Sequence, residues 1–294
     1  MKGMREIRNR MKAVAGTGQI THAMELVAAS KMKRAQNGAE SGRAYALLLM
    51  DLTETVLERL GRKMREASAP HGDRRLVIVF STDKGLCGSL NTNIFKAISE
   101  IPAKEADFIA VGTRGGKFIA KTGRNLKAQF KIGDDVKFSE TRKIAEFAMK
   151  LAKESGEYGT LEVLYPIFVN TLRQETALVK LAPVDDLTPF IERLRKTYKM
   201  AEIPSERDER IISFEPSADA VLEKLPAYYI RQSLHHIALD TKASEQSARM
   251  VAMKSASDNA DTLLSELNLE YNKARQSAIT TEILELSSAA AQTE

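Results

Sequence analysis

Apolar side chains recur every three or four residues along the first sixty positions. No proline interrupts residues 3–60. This period predicts one long amphipathic helix, about 85 Å in length if it is continuous. Gly16 and Gly18 are candidate positions for a kink, because glycine in a helix interior costs about 1 kcal/mol relative to alanine. The apolar positions are Met4, Ile7, Met11, Val14, Ile20, Met24, Val27, Tyr45, Leu48, Leu52, Val56 and Leu60.

The central part of the chain alternates between short apolar runs and stretches with helical spacing. The predicted strands are Leu76–Phe80, Phe108–Val111, Leu161–Tyr165 with Ile167–Val169, and Ala177–Leu181. The predicted helices lie near 91–101, 115–122 and 139–154. Strands that alternate with helices indicate an α/β layer with a largely parallel sheet. The short link between the last two strands predicts an antiparallel hairpin at the sheet edge.

The last third of the chain is dominated by a second long helical pattern. Ser217 is a plausible N-cap for a short helix that stops near Pro226, and neither proline nor glycine occurs from Ala227 to about Ala291. That interval predicts a helix of roughly 95 Å. Its apolar positions begin with Ile230, Leu234 and Ile237 and resume with Leu264, Leu267, Tyr271, Ala274, Ala278, Ile279, Ile283, Leu286 and Ala290. Between 243 and 262 the side chains are mostly small, among them Ala243, Ser244, Ser247, Ala248, Ala252 and Ala260.

Two helices of this length need an apolar partner face. The α/β layer is too small to cover both, so the sequence predicts that they form an antiparallel coiled coil, with small side chains allowing close approach. The predicted fold is an α/β protein plus coiled coil, with a small Rossmann-like α/β domain inserted between the helices. The expected divisions are 1–62, 74–200 and 208–294. The apolar end at Ile283, Leu284, Leu286 and Ala289–Ala291 would extend beyond its partner helix and be exposed, unless another protein surrounds it.

Charge and cysteine usage narrow the functional classes. The net charge is +5, and residues 1–40 hold eight Lys or Arg against three acids, so this segment alone carries 8 − 3 = +5. Such a segment binds nucleic acid, an anionic membrane or an acidic protein, or it is simply a solvated helix face. Cys87 is the single cysteine, which excludes an internal disulfide. The longest apolar run, 44–50, is too short to span a bilayer, so membrane association is expected only through partners.

The glycine loop 81–88 lies between a predicted strand and a predicted helix, as many phosphate-binding loops do. It lacks the spacing and the Lys-Ser/Thr ending of a P-loop, and 111–118 is a second near miss. Cys87 is a candidate nucleophile but is more simply a small loop residue. His235 and His236 are adjacent and would point about 100° apart on a helix, so they cannot chelate one metal together. The sequence predicts no catalytic constellation and no cofactor.

Polar side chains near the end of the C-terminal helix are the strongest binding candidates. Arg275, Gln276, Thr280 and Glu282 can all form directional hydrogen bonds, and the arginine fork suits a carboxylate. The alternative interpretation is an ordinary solvated face. The exposed apolar residues that follow argue against it.

Three blocks of this sequence resemble the gamma subunit family of F-type ATP synthases. They are Gln19-Ile20-Thr21-His22-Ala23-Met24-Glu25-Leu26-Val27-Ala28-Ala29-Ser30-Lys31-Met32, the loop Ser81-Thr82-Asp83-Lys84-Gly85-Leu86-Cys87-Gly88, and a C-terminal block that runs from Ala243 to Met253 and from Tyr271 to Glu282. The blocks occur in the family's order. Between about 100 and 215 the likeness is in layout more than in residues. Ala289 stands where many members have glycine, and the cysteine pair of chloroplast members is absent.

The resemblance implies a non-catalytic rotor shaft of the central stalk, inside a ring of α and β subunits, with ε and the membrane ring of c subunits as further partners. It implies that Arg275, Gln276, Thr280 and Glu282 contact the ring. It places Met24 and Arg249 beside acidic levers of β, and it implies that Lys84, Gly85 and Cys87 belong to a loop contacting β. The expected location is the cytoplasmic face of a bacterial membrane, as a peripheral protein.

The residues themselves leave two alternative functions open. A basic coiled-coil protein that binds nucleic acid would explain the pI of 9.1 and the basic first segment, but the sequence lacks interleaved aromatics. A nucleotide-dependent enzyme would require ATP to bind the isolated chain. Neither alternative explains the apolar C-terminal end.

Overall fold

The computed structural model describes residues 3–68, 72–184, 214–215 and 217–291. The chain divides into two compact units. The first unit consists of Met1–Ala28 with Arg249–Glu294, and the middle unit is Ala29–Ala248. The division into 1–62, 74–200 and 208–294 stays a prediction, since it follows the elements along the chain, whereas the middle unit also contains the greater part of the N-terminal helix and the beginning of the C-terminal one. Residues 185–213, which include two of those divisions, lie outside the described residues.

The secondary structure begins and ends with a long helix. In chain order the elements are α1 (Met4–Ser68), β1 (Arg74–Phe80), α2 (Leu90–Glu100), β2 (Ala106–Val111), α3 (Thr113–Lys121), β3 (Asn125–Phe130), α4 (Phe138–Ser155), β4 (Tyr158–Phe168), β5 (Gln174–Ala182) and α5 (Ala218–Ala291). The strands form one sheet in the order β3-β2-β1-β4-β5. The first four strands of that order are parallel, and β5 is antiparallel to β4. The α/β layer and its antiparallel edge hairpin are confirmed.

The sheet is covered on both faces, as its apolar strands require. In β1, Leu76, Ile78 and Phe80 face a core that contains residues of α4 and the first part of α5. Val77 and Val79 face the opposite core, with residues of α2 and α3. This alternation follows from the two-residue period of a strand. The middle unit is therefore a doubly wound α/β layer.

The strand β3 was not predicted from the sequence. Its six residues alternate between exposed and half-buried positions, and every second one is polar. Such a strand lies at the sheet edge, where β2 is its partner. A half-polar edge strand has no continuous apolar run, which explains why the pattern did not reveal it.

The prediction that a helix stops near Pro226 is wrong. The helix α5 runs unbroken from Ala218 to Ala291 with Pro226 inside it. Proline removes one backbone donor and normally breaks a helix interior. Here Leu222 and Leu225 before it and Tyr229 after it are all buried in the larger core. Tertiary packing on both sides of the proline outweighs its local cost.

The first unit has the buried periodicity of a coiled coil. On α1, Ile7, Thr21 and Ala28 are buried and stand at multiples of seven residues. On α5, Met253, Ala260 and Leu267 are buried and also stand seven apart. A repeat of seven is the signature of two helices packed side by side. The structure therefore agrees with the predicted coiled coil.

The predicted apolar face of α1 is wrong at several positions from Ile20 onward. Ile20 and Val27 were assigned to the packed stripe, yet their side chains are 63% and 54% exposed. The packed stripe continues instead through Gly18, Thr21 and Ala28. In the middle unit, Tyr45, Leu48 and Leu52 are likewise exposed although Val56 is buried, and the side chain of Leu60 lies outside the described residues.

Gly16 and Gly18 do not end the helix, since α1 continues through both positions. They differ in their surroundings. A Cβ added to Gly16 meets nothing within 4 Å, whereas one added to Gly18 would lie 3.2 Å from the Cβ of Ala260. Gly18 therefore permits the close approach of the two helices, which confirms that small residues serve that purpose at this point.

This difference predicts opposite consequences for two alanine substitutions. Gly16→Ala should stabilise the chain by about 0.5–1 kcal/mol, because alanine favours the helix and nothing obstructs its methyl group. Gly18→Ala should give little or no gain, because its methyl group crowds Ala260. Thermal unfolding of the two variants beside the native chain measures both effects. Equal stabilisation would contradict the close approach at Gly18.

Candidate functional site

The glycine loop that follows β1 is tied to the start of α3. The Asp83 Oδ1 atom accepts hydrogen bonds from the backbone N of Thr113 at 2.9 Å and from its Oγ1 at 2.7 Å. The Ser81 Oγ atom accepts a hydrogen bond from the N of Gly115 at 2.8 Å. The N of Arg114 donates to the carbonyl of Thr82. The backbone donors at the start of α3 are thus bonded to the loop itself.

These contacts explain why the near miss at 111–118 is not built as a phosphate cradle. A helix N-terminus attracts an anion through its free N–H groups and positive dipole end. Here the carboxylate of Asp83 occupies that position. Gly112, at φ 105°, has no room for a Cβ beside the Ser81 carbonyl. A cavity beside Asp83 and Gly112 has a volume of about 10 Å³, which suits one water molecule and not a nucleotide.

The exposed part of the glycine loop is its tip. Lys84 is exposed and Leu86 is 61% exposed, while Gly85 lies against the guanidinium of Arg114. Cys87 is only 2% exposed, and the Nδ2 of Asn91 donates to its Sγ at 3.2 Å. The loop therefore presents Lys84 and Leu86 outward and keeps the thiol inside.

His235 and His236 lie within the packed middle unit. His235 Nδ1 is 3.2 Å from Thr141 Oγ1, and its ring contacts Phe138 edge to face. Burial lowers the pKa of His235. Burial, with the neighbouring His235, lowers the pKa of His236 to about 4. Both rings are therefore neutral at pH 7 and contribute packing.

Metal ions and membranes are two further classes of binding partner. Among the described residues, no cluster of three or more His, Cys, Asp or Glu is arranged to hold a metal ion. The described helices also include none with the length and apolarity needed to cross a membrane.

The four polar candidates at the end of α5 are all exposed. Arg275, Gln276, Thr280 and Glu282 lie on the outside of the helix. The hydroxyl of Thr280 donates to the Gln276 carbonyl at 2.9 Å, so its proton is used within the helix. Its oxygen can still accept a hydrogen bond from a partner, and Arg275 can donate one.

The apolar side chains beside them are exposed, as predicted for Ile283 and Leu284. Ile279, Ile283 and Leu284 are 47%, 60% and 63% exposed. Gly18 lies opposite Ala260, and positions on antiparallel helices advance in opposite directions, so Gly3 falls roughly opposite Arg275. Residues from about 279 onward therefore extend past the described part of α1. The side chains of Leu286 and Ala289–Ala291 lie outside the described residues.

The first unit has further exposed apolar side chains that sequence reasoning assigned wrongly or passed over. Met24 and Arg249 are both half-buried in this unit. Ile20, Leu26 and Val27 are more than half exposed. The sequence contains one sign of this exposure: after Val14, the apolar positions no longer follow the seven-residue repeat. These residues add an apolar surface to the same unit.

Comparison with known proteins decides the family. The sequence profile of the ATP synthase family matches residues 3–292. The ATP synthase gamma chain of Opitutus terrae is 44% identical over 98% of both chains. The chain belongs to the ATP synthase gamma chain family. The gamma chain of Methylacidiphilum infernorum is 38% identical, again over 98% of both chains.

Solved structures agree with this assignment. One solved structure shows the central stalk and c-ring of the mitochondrial ATP synthase of Tetrahymena thermophila. A chain in it is 26% identical to the present chain, with a TM-score of 0.62. The match covers 81% of this chain and 99% of that one. A chain of the Euglena gracilis mitochondrial ATP synthase has the same fold, with a TM-score of 0.67 at 17% identity over 99% and 94% of the two chains. The chain is thus a central-stalk subunit of an ATP synthase and a peripheral part of that membrane complex.

Proposed function

We propose that this chain is the non-catalytic rotor shaft that couples ion flow through the membrane sector to ATP synthesis or hydrolysis at partner β subunits. The observation that carries the proposal is the end of α5. There, Ile283 and Leu284 are exposed beside the polar side chains of Arg275 and Gln276. A bare helix with exposed apolar residues is expected to be covered by another protein.

The proposed contacts fall in three places. Arg275, Gln276, Thr280 and Glu282 contact the surrounding ring of α and β subunits. Met24 and Arg249 in the first unit contact β levers, together with the exposed apolar residues Ile20 and Val27. The glycine loop contacts β through Lys84 and Leu86, while Gly85 and the buried Cys87 hold its shape.

The remaining partners fit the middle unit. The relative from Tetrahymena thermophila is described in a central stalk with the c-ring. By that likeness the c-ring contacts this chain away from the coiled coil, and the ε subunit implied by the sequence resemblance contacts it there too. The exposed stripe of Tyr45, Leu48 and Leu52 on α1 offers an apolar surface for such a contact. The complex is expected at the cytoplasmic face of a bacterial membrane, and the chain binds no cofactor.

The mechanism requires differential binding. A shaft that contacted all three β subunits equally would shift none of their conformations, because a conformational equilibrium changes only through a difference in affinity between states. The two helices present different side chains in different directions. The basic segment 1–40 also favours whichever acidic lever is nearest, through Coulomb attraction. Rotation then moves this preference from one β subunit to the next.

Reconstitution tests the proposal. The chain is mixed with α and β subunits from the same organism, and ATP hydrolysis by the assembled complex is measured. We expect hydrolysis that depends on this chain and falls about threefold when residues 272–294 are removed, because the truncation removes exposed contacts and spares Met253, Ala260 and Leu267. Failure to assemble, together with salt-sensitive binding to DNA, would favour a nucleic-acid-binding protein instead.

A further inference from the structure

Three polar side chains of α5 bond to the backbone at the end of β4. Asp240 Oδ1 accepts a hydrogen bond from the N of Phe168 at 3.3 Å. Ser244 Oγ donates to the carbonyl of Pro166 at 3.0 Å. Ser247 Oγ donates to the carbonyl of Thr171, in the turn before β5, at 2.7 Å. Positions 240, 244 and 247 lie on one face of a helix.

The end of β4 needs such partners. The pairing of β4 with β1 runs from Arg74↔Tyr158 to Val79↔Leu164. This pairing therefore ends two residues before Pro166. Alternate residues of a strand direct their backbone groups to the same side. The Pro166 carbonyl and the Phe168 N–H therefore face the side on which the neighbouring strand has ended. The helix supplies the hydrogen bonds that a longer β1 would have made.

The burial of these residues distinguishes the contact from a surface interaction. Ser244 and Ser247 are fully buried, and Asp240 is 8% exposed. The sequence pattern had assigned the small residues of 243–262 to close packing of the coiled coil, and that assignment is wrong for these two serines. A buried hydrogen bond to backbone fixes the helix at one position along β4, because sliding or turning would leave polar groups unpaired.

We propose that Asp240, Ser244 and Ser247 form a latch that fixes the α/β layer to the C-terminal helix and carries torque between them. The three are positioning residues, and their mechanical role rests on the proposed rotor function. The contact is directional in a way that apolar packing is not. An apolar face tolerates small rotations, whereas three hydrogen bonds to Pro166, Phe168 and Thr171 hold one angle.

The first test measures the latch in the isolated full chain. Hydrogen exchange of the Phe168 amide is followed by NMR in Asp240→Ala and in the matched variant Asp240→Asn, which keeps a carbonyl acceptor at the same place. We expect the alanine variant to exchange at least about tenfold faster and the asparagine variant to remain within about threefold of the native chain. Unchanged exchange in Asp240→Ala would overturn the latch, whatever the rotor does.

The second test measures torque transmission in the assembled complex. A bead is attached at Lys104→Cys, which lies on the exposed link between α2 and β2, while the α and β subunits are fixed to a surface. The Ser244→Ala, Ser247→Ala double variant is compared with Ser265→Ala. Ser265 is exposed on the same helix and bonds only to its own turn. We expect the variance of angular fluctuations to rise about twofold in the double variant alone, with ATP hydrolysis unchanged.

The two tests separate the possible failures. Faster exchange at Phe168 with unchanged angular variance would overturn torque transmission and leave the latch as packing. If exchange accelerates but no chain-dependent hydrolysis occurs with α and β subunits, the proposed rotor function fails and the torque role falls with it. If the double serine variant does not fold, Asp240→Asn and Asp240→Ala in the same bead assay give the same comparison.

Discussion

ATP synthesis by the complete complex, reconstituted in vesicles together with its membrane sector, should fall at least about tenfold when Arg275 and Gln276 are both replaced by alanine. A loss of that size corresponds to about 1.4 kcal/mol, which is modest for an arginine at the centre of an interface. The free chain should keep its stability, since both side chains are exposed and changes at exposed sites are usually within about 0.5 kcal/mol. The measurements are the synthesis rate under a fixed ion gradient and the thermal unfolding of the free chain.

The reason lies in the geometry of the two side chains. Arg275 offers a rigid fork of donors, and Gln276 offers both donor and acceptor, on a stretch of α5 where the described part of α1 ends. Their partners are expected to be carboxylates or backbone groups of the surrounding subunits, which would be left unpaired by alanine. The matched control is Arg142→Ala on α4, where the arginine is 58% exposed and pairs with Glu146. Equal synthesis in both variants would refute the assigned contacts.

The sequence was sufficient for the architecture because the relevant signals are long. Sixty residues of helical spacing and sixty-five without proline or glycine predict helices whatever their surroundings, and the apolar run before the glycine loop predicts β1. Single local signals were less reliable. Pro226 predicted an end to a helix that tertiary packing keeps intact, and the half-polar strand β3 left no recognisable pattern.

The candidate site was predictable only in part. Exposure of Ile283 and Leu284 followed from comparing the lengths of two helices, which the sequence provides. The exposure of Ile20 and Val27 could not be predicted in this way. A stripe assigned with the 3.6-residue period of a straight helix drifts away from the seven-residue repeat that coiled-coil packing imposes. The role of Ser244 and Ser247 was also hidden, since the same small side chains suit close helix packing or a bond to backbone, and the neighbouring element decides.

A second large effect is expected at the end of the sheet where the parallel strands begin, opposite the glycine loop. Asp107 in β2 is fully buried and forms ion pairs with Arg74 of β1 and Lys127 of β3. It also accepts a hydrogen bond from the hydroxyl of Tyr158 in β4 at 2.8 Å. One carboxylate therefore joins all four parallel strands at their amino ends.

The charge state of Asp107 gives this group a defined pH dependence. Burial acts to raise the pKa of Asp107, but hydrogen bonds from Tyr158, Lys127 and Asn125 outweigh it and hold the pKa below its usual value of 3.8. The unfolded chain therefore takes up this proton at a higher pH than the folded chain does. The stabilisation is complete above about pH 4–5 and is lost as the pH falls through the lowered folded value.

Asp107→Ala should destabilise the middle unit by about 3 kcal/mol at pH 7, because Tyr158 loses its acceptor and two cations lose their counter-charge. The nearby exposed Glu105, changed to glutamine, should cost less than about 0.5 kcal/mol. Urea unfolding followed by tyrosine fluorescence measures both, since the chain has no tryptophan. The difference between native and Asp107→Ala chains should begin to shrink only below about pH 4, where the unfolded native chain takes up the proton, and should go on shrinking until the folded carboxylate is protonated as well. A difference that stayed constant down to pH 2 would mean that lost packing, and not the charge, accounts for the effect.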